Sequence, residues 1–170
     1  DTLLNHGLEK GTIKNNYSKG LLYTAHFDLA SFYDTIDHHS LTSEIIHDNK
    51  TQFSTTLFDC LAKWSNCSTK ALYRKIYHSL PQGPLASRIF AELFLHPLDK
   101  KFIESGIIYS RYVDDIVIQG KTEIEVRRNV AIIDQLCKEK GLVSQSSKFK
   151  IFKATSAEDA VGKNASIDYS

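Results

Sequence analysis

The chain has 170 residues, 42% of them hydrophobic and 24% charged, and its formal net charge is +1. This length and composition are typical of one soluble globular domain with a sizeable core, and the low net charge argues against a wholly basic coat for nucleic acid. No apolar run approaches the roughly 18 residues of a transmembrane helix, which excludes a membrane span.

The first part of the chain predicts one strand and two helices. Residues 1–20 are polar and weakly periodic, and their pattern assigns no element. The segment LLYTAHFDLASFY (21–33) begins with an apolar and aromatic run that predicts a buried strand, with Asp28 near its end. A short helix is predicted after Ser40, and a second one over TTLFDCLAKW (55–64), whose apolar residues recur at helical spacing.

A loop with two prolines lies near the middle of the chain. Pro81 and Pro84 bracket Gln82 and Gly83, and this pattern interrupts regular structure. Pro84 fits the first position of a following helix. The apolar residues predicted on one face of that helix are Leu85, Ile89 and Leu93. We interpret the segment as a loop directed at a ligand and supported by a helix.

A hairpin is predicted around SRYVDDIVIQG (110–120). The runs on either side of Asp114 and Asp115 are rich in β-forming residues, so the two carboxylates fall at the hairpin tip. An isolated Asp-Asp pair is more often a plain turn. The role of this pair therefore depends on the rest of the chain.

The last part of the chain predicts a capped helix and a strand. Thr122 and Glu125 have the spacing of a capping box, and the helix that follows turns apolar residues toward a core until it stops at Gly141. This helix is expected to pack on the back of the sheet. KFKIF predicts a last strand, whereas residues 154–170 hold too little apolar content to belong to the core. Because strands and helices interleave irregularly, the predicted fold class is α+β with an antiparallel sheet.

The cysteines and the first residue bear on the origin of the chain. Three cysteines without CxxC spacing predict neither a disulfide framework nor a zinc site, and a reducing, cytoplasmic location fits best. The chain lacks methionine and begins at Asp1, which indicates a piece of a longer protein.

The acidic pair has a chemical interpretation. Adjacent carboxylates at a hairpin tip repel one another unless a divalent cation lies between them and a third carboxylate, for which Asp28 is the candidate. Mg²⁺ prefers a few carboxylates together with phosphate oxygens and water. Two such ions about 4 Å apart can activate an attacking oxygen and stabilise a leaving one. The donor set therefore suits phosphoryl transfer.

Three segments carry a family resemblance, namely FDLASFYDTIDH, LPQGPLAS and RYVDD in this order. They resemble motifs A, B and C of the reverse transcriptase palm, and in detail those of the prokaryotic branch of group II intron, retron and phage-defence enzymes. A lone YxDD recurs by chance, but the ordered conjunction is specific. The resemblance covers roughly residues 21–153.

The resemblance implies a right-hand polymerase palm with an antiparallel sheet, packing helices, partial fingers and no thumb. Residues 1–20 would end an upstream fingers region, and residues 21–153 would form the palm with a fingers insert. Residues 154–170 would be a polar tail leading toward a missing thumb.

The resemblance also implies roles for individual residues. Asp28, Asp114 and Asp115 would be catalytic and would bind two Mg²⁺ ions, for which Mn²⁺ can substitute. Tyr33 falls at the steric-gate position, where an aromatic ring excludes a 2′-hydroxyl and favours dNTPs. The other substrate-binding residues that the resemblance implies are Gln82, Gly83, Tyr112 and Lys148. For the last of these, Lys150 and Lys153 are alternatives.

The sequence therefore predicts an RNA-directed DNA polymerase that transfers a deoxynucleotidyl group from a dNTP to a primer 3′-hydroxyl and releases pyrophosphate. Its expected partners are an RNA template, a DNA or RNA primer, dNTPs and an associated structured RNA, with no membrane. Two alternatives stay open: a maturase-like RNA-binding scaffold and a template-independent polymerase of a phage-defence system. A scaffold has no need of three mutually repelling carboxylates, which argues against it.

Overall fold

The computed structural model describes residues 2–46, 52–68, 77–145 and 150–162. Its strands are β1 (Tyr23–Asp28), β2 (Tyr109–Tyr112), β3 (Asp115–Gly120) and β4 (Lys150–Lys153). Its helices are α1 (Thr2–Ser18), α2 (Phe32–Thr35), α3 (His38–Ile45), α4 (Gln52–Ser68), α5 (Leu85–Glu104), α6 (Glu123–Glu139) and α7 (Ala157–Val161). Within the described ranges, no helix is both long enough and apolar enough to cross a bilayer.

The four strands form one antiparallel sheet in the order β2-β3-β1-β4. The central pair is β1 and β3, whose register runs from Tyr23 opposite Gly120 to Asp28 opposite Asp115. The predicted α+β class with an antiparallel sheet is confirmed. Because β2 and β3 form a hairpin, the carboxyl end of β1 lies beside the hairpin turn.

Helices cover both faces of the sheet. Ile116 and Ile118 of β3 belong to the main core, whereas the intervening Val117 packs with Ile13 of α1 and Ala160 of α7 in a second cluster. Helix α6 contacts β1, β3 and β4, as predicted for a helix on the back of the sheet. This two-sided covering explains why β3 is buried at every position after Asp115.

The predicted Thr122 cap of α6 is confirmed, whereas the reciprocal bond from Glu125 is shifted by one residue. The Thr122 hydroxyl accepts a hydrogen bond from the backbone N–H of Glu125 at 3.2 Å, and the Glu125 carboxylate accepts one from the N–H of Lys121 at 2.8 Å. The carboxylate thus reaches one residue before the cap. The helix ends at Glu139, and Gly141 follows with a φ of 79°, as the predicted stop requires.

Two sequence-based expectations about the ends of the chain need revision. The pattern assigned no element to residues 1–20, where α1 lies; Gly7 and Gly11 weaken its helical signal. The expectation that residues 154–170 stay outside the core is wrong for their described part. Ala154 and Ala160 are only 3% and 0% exposed, and α7 packs against α1. Small alanines allow this close packing although they contribute little to a hydropathy pattern.

Helix α5 shows its predicted face, but the face points outward. Leu85, Ile89 and Leu93 do share one side, and they are 74%, 54% and 41% exposed. The side turned to the core carries Ser87, Ala91, Phe94, Leu95, Leu98 and Phe102. Pro84 is the residue that caps this helix rather than its first helical residue.

Candidate active site

Three aspartates have neighbouring backbone positions at one edge of the sheet. Asp28 is the last residue of β1, and its Cα is paired with that of Asp115, the first residue of β3. Directly opposed side chains of antiparallel strands point to the same face, with their Cβ atoms about 5 Å apart. Asp114 lies next to Asp115 in the turn that joins β2 to β3. The register therefore brings together residues that are far apart in the sequence.

The three carboxylates suit a hard divalent cation in their chemical composition. Asp28 and Asp114 are half-buried and Asp115 is exposed, so solvent and ligands reach all three. Like charges opposed across a strand pair destabilise a sheet, and carboxylate oxygens are the ligands that Mg²⁺ prefers. Among the described residues, no three His, Cys, Asp or Glu side chains form a ready-made metal-binding group. The structure therefore shows adjacent backbone positions for these acids without an assembled metal-binding group.

The turn that carries Asp114 has an unusual backbone. Tyr112 pairs with Asp115, so the connection contains two residues, Val113 and Asp114. Such short hairpin turns require positive φ, for which glycine or asparagine is usual. Val113 adopts a φ of 56°, which is costly for a β-branched residue. Its side chain is 7% exposed and packs in the main core, which holds the turn in this conformation.

Unusual backbone conformations occur in the three segments that carry the predicted site residues. Among the described residues, the non-glycine positions with positive φ are Ser31 (48°), Ser79 (83°) and Val113 (56°). Ser31 follows Asp28 by three residues, and Ser79 precedes Gln82 by three. Such conformations cost of order 1–3 kcal/mol each and are typical of functional sites, where the surrounding structure enforces them.

Tyr33 lies near the hairpin turn. It belongs to the single-turn helix α2, is half-buried, and contacts Phe32 with ring centroids 5.5 Å apart. Burial raises the pKa of Tyr33, and the negative charge of Asp114 raises it further, while Arg88 acts in the opposite direction. The phenol is therefore neutral at physiological pH and close enough to Asp114 to sense its charge.

The loop that contains Gln82 and Gly83 is attached to α2. The backbone N–H of Leu80 donates to the carbonyl of Tyr33 at 2.8 Å, so the loop begins beside the tyrosine. Gln82 and Gly83 are both exposed. Gly83 has a φ of 108°, a conformation that glycine adopts without strain.

Tyr112 ends β2 directly before the turn and is half-buried. The guanidinium carbon of Arg88 lies 5.0 Å from the centre of its ring, within the range of a cation–π interaction. Ser87, the preceding residue of α5, is 1% exposed. The first turns of α5 thus adjoin the turn end of the hairpin.

The chain that follows α6 returns to the carboxylates. The N–H of Gln145 donates to the carbonyl of Asp28, and the N–H of Ala30 donates to the carbonyl of Val143, both at 2.8 Å. Lys148, the remaining predicted site residue, lies outside the described residues.

Sequence reasoning missed a charged cluster under the turn. Arg111 of β2 hydrogen bonds with Asp99 and Glu92 of α5 and with the carbonyl of Val113. Burial opposes the charge on Arg111, but the hydrogen bonds to Asp99 and Glu92 outweigh this, and its pKa lies above the ordinary value. An available signal was the position of Arg111 two residues after Tyr109 on the core-facing side of its strand.

Comparisons with known proteins fit this arrangement. A family model described as "Reverse transcriptase (RNA-dependent DNA polymerase)" matches residues 4–169. A search of curated proteins gave no significant match.

Solved telomerase structures are similar in fold. Apo telomerase from Candida tropicalis is 14% identical over 88% of this chain, with a TM-score of 0.62. Its form truncated from the C-terminal domain is also 14% identical over 88% of this chain, with a TM-score of 0.58. Telomerase from Candida albicans, solved with a fragment of telomeric RNA, is 14% identical over 84% of this chain, with a TM-score of 0.55. The chain covers 34%, 32% and 30% of the truncated, apo and RNA-bound telomerase chains, about a third of their length.

Proposed function

Because the chain belongs to the reverse transcriptase family, we propose that it is the catalytic palm of an RNA-directed DNA polymerase. It would transfer a deoxynucleotidyl group from a dNTP to a primer 3′-hydroxyl and release pyrophosphate. The observation that carries this proposal is the register that sets Asp28 opposite Asp115, with Asp114 in the adjoining turn. Acidic residues at these neighbouring positions support the proposal, because phosphoryl transfer uses carboxylate oxygens as metal ligands.

In this proposal Asp28, Asp114 and Asp115 would hold two Mg²⁺ ions. Bound there, the ions would supply charge neutralisation for phosphoryl transfer and would lower the pKa of the primer hydroxyl. The role of the chain's own residues is to fix the ligand positions, through the strand register for Asp28 and Asp115 and through the turn for Asp114.

Substrate recognition would surround the carboxylates. Tyr33 would lie under the sugar and select dNTPs by steric exclusion of a 2′-hydroxyl. Gln82 and Gly83 would contact the nucleotide and template, since the exposed glycine lets a backbone approach closely. Tyr112 would lie under the primer terminus, and Lys148 would meet the triphosphate.

The domain assignment follows from the same proposal. Residues 21–153 would form the palm with part of the fingers, after a fingers segment in residues 1–20 and before a segment, 154–170, that leads toward a thumb. The three motifs resemble most those of the defence-associated or otherwise unclassified bacterial branch, ahead of retron and group II intron enzymes. We therefore propose a polymerase that acts on an RNA template and a DNA or RNA primer, with an associated structured RNA. The proposed cytoplasmic location rests on the cysteines without CxxC spacing.

The first prediction tests the catalytic assignment. The full-length protein is given Mg²⁺, each dNTP, and primed RNA or DNA templates, and primer extension is measured beside the variant Asp114→Asn. Loss of one metal ligand removes several kcal/mol of transition-state stabilisation, so incorporation should fall about a thousandfold or more.

The matched control is Asp59→Asn, an exposed aspartate of α4, which should extend the primer like the wild type. Equal incorporation by Asp114→Asn and the wild type contradicts the catalytic assignment. Asp114-dependent incorporation without any template would instead identify a template-independent polymerase.

A further inference from the structure

The guanidinium of Arg111 is held from two sides in a buried position. The side chain is 9% exposed. Its Nε donates to Oδ1 of Asp99 at 3.0 Å and its Nη2 to Oδ2 of Asp99 at 2.6 Å, which is the bidentate geometry that only an arginine fork provides. Tyr109 also donates its hydroxyl to Oδ1 of Asp99, at 2.9 Å, which adds a third hydrogen bond to the same carboxylate.

Two more hydrogen bonds tie this pair to the hairpin turn and to a second acid. Nη2 of Arg111 donates to Oε2 of Glu92 at 2.8 Å, and Nη1 donates to the carbonyl of Val113 at 2.9 Å. Glu92 and Asp99 are seven residues apart on α5 and therefore share one face of that helix. A single guanidinium thus connects α5 with the turn.

The carbonyl that Arg111 holds constrains the backbone that carries the next side chain. It belongs to the planar peptide group between Val113 and Asp114, so fixing the oxygen fixes the plane from which the Asp114 backbone continues. Val113 is the residue that holds a left-handed conformation despite its β-branched side chain. A hydrogen bond at that carbonyl opposes relaxation of the turn to a less strained conformation.

We propose that Arg111 is a positioning residue that fixes the backbone of the hairpin turn, so that the Asp114 side chain can reach a divalent cation. It acts through the Val113 carbonyl and takes its own position from Asp99 and Glu92 on α5. This inference rests on the proposed function. It adds that the metal site depends on the contact between the hairpin and α5.

Lysine is the informative replacement for Arg111. It would keep a positive charge for the two acids, but an ammonium cannot make the paired hydrogen bonds to Asp99 and reach Val113 at once. Removing the charge altogether would leave two carboxylates uncompensated, which is strongly destabilising in a buried site. Arg111→Lys therefore separates positioning from folding better than an uncharged residue does.

The experiment measures metal binding directly. Mn²⁺ is titrated into the full-length protein without substrate, and bound ion is measured by electron paramagnetic resonance, with Asp114→Asn defining the background. Loss of a residue that orients a metal ligand typically weakens metal binding by about 10–100-fold. We expect Arg111→Lys to weaken Mn²⁺ binding by a factor in this range. The Mg²⁺ concentration that gives half-maximal primer extension should rise in parallel.

The control is Arg127→Lys. Arg127 is an exposed arginine of α6 that pairs with Glu123 at 2.6 Å, and its replacement should leave Mn²⁺ binding unchanged. The thermal unfolding midpoint of each variant without metal is measured beside the titration. If Arg111→Lys does not fold, Glu92→Gln replaces it, because the Glu92 side chain is 43% exposed and tolerates the change.

The outcomes distinguish the two levels of the proposal. Weaker Mn²⁺ binding by a folded Arg111→Lys or Glu92→Gln variant supports the positioning role. Wild-type binding by that folded variant, in a protein whose polymerisation depends on Asp114, overturns the positioning role alone. A wild type with neither Asp114-dependent Mn²⁺ binding nor primer extension overturns the proposed function itself.

Discussion

Tyr33 illustrates how one side chain takes its properties from several elements. Its backbone carbonyl accepts a hydrogen bond from Leu80, at the start of the loop that carries Gln82 and Gly83. Burial and the charge of Asp114 raise the pKa of its hydroxyl, which keeps the ring neutral. A neutral, partly buried ring beside a carboxylate site is suited to shape recognition of a sugar.

A prediction at the residue scale follows for sugar selection. Tyr33→Ala should raise the incorporation of ribonucleotides relative to deoxyribonucleotides by about tenfold or more, because steric exclusion of a small group is worth about 1–3 kcal/mol. The ratio of kcat/KM values for an rNTP and its dNTP measures the effect. Tyr33→Phe is the matched control, since it keeps the ring and should keep the selectivity. An unchanged ratio in the alanine variant argues against the gate.

Individual residues differed in how far sequence could identify them. Asp28, Asp114 and Asp115 stand out because each carries a charge next to an apolar strand, an arrangement that demands an explanation. Arg111 and His38 also carry polar groups into buried surroundings, but their partners are distant in the sequence. Nothing near Arg111 in the chain indicates that Asp99 and Glu92 meet it.

At the scale of elements, the junction between β3 and α6 depends on close packing around one glycine. Gly120 ends β3, and a Cβ built on it would lie 2.8 Å from Cγ2 of Val126 and 3.1 Å from Oε2 of Glu125. Both neighbours belong to the first turn of α6, and the Glu125 carboxylate is engaged in the cap. The glycine therefore allows the capped helix to fold back closely on the sheet.

Gly120→Ala should lower the free energy of unfolding by about 1–3 kcal/mol, because an added methyl group forces its packed neighbours to shift. Gly11→Ala is the matched control. Its Cβ would meet nothing within 4 Å, and alanine in the interior of α1 should stabilise the protein by about 0.5–1 kcal/mol. Chemical denaturation of the two variants measures both changes. A neutral Gly120→Ala would show that the junction is more loosely packed than the distances indicate.

For helix α5, the apolar periodicity predicts the helix but not which of its sides faces the core. Both sides of the helix carry apolar residues, so a period of 3.6 residues cannot tell which side meets the core. The buried side includes Phe94 and Phe102, which belong to the main core, whereas Leu85 and Ile89 lie on the surface. The choice depends on where the sheet and α6 lie.

A buried histidine connects three separate parts of the molecule. His38, at the start of α3, is 0% exposed, and its Nε2 donates to the carbonyl of Ser79 at 2.7 Å. Ser65 of α4 donates its hydroxyl to the same carbonyl at 2.6 Å. Within the described part of the chain, Nδ1 of His38 is buried without a partner. Protonation of that nitrogen would create a charge with no acceptor beside it.

Stability of the whole molecule should therefore depend on pH. Burial lowers the pKa of His38 in the folded state, although its hydrogen bond to Ser79 opposes this. The unfolded chain then takes up a proton first, so stability is complete above about pH 6.5 and is lost as the pH falls toward the folded-state pKa. The slope reaches at most about 1.4 kcal/mol per pH unit for this one proton.

Chemical denaturation between about pH 5 and 8, where histidines titrate, measures this slope, that is, how the free energy of unfolding changes with pH. His38→Gln, which keeps a donor for Ser79, should reduce it, while His96→Gln on the exposed side of α5 serves as the control. A residual slope is expected from His26, whose pKa burial and the charge of Lys150 also lower. An identical slope in His38→Gln and the wild type contradicts the assignment.

The sequence by itself determined the strands, most of the helices, the hairpin and the acidic residues at its tip. These features depend on local patterns: alternation, helical spacing, capping pairs and turn residues. The family resemblance likewise depends on short segments in a fixed order.

The tertiary structure alone decided which strand lies beside which, that α1 and α7 close the second face of the sheet, and that Arg111 joins α5 to the hairpin. These contacts join residues far apart in the chain, and their energies come from burial and from charges that are paired only after folding. The acidic pair in RYVDD can therefore be identified from the sequence. The contact of Arg111 with Val113, which we propose positions Asp114, can be identified only from the packing of α5 against β2.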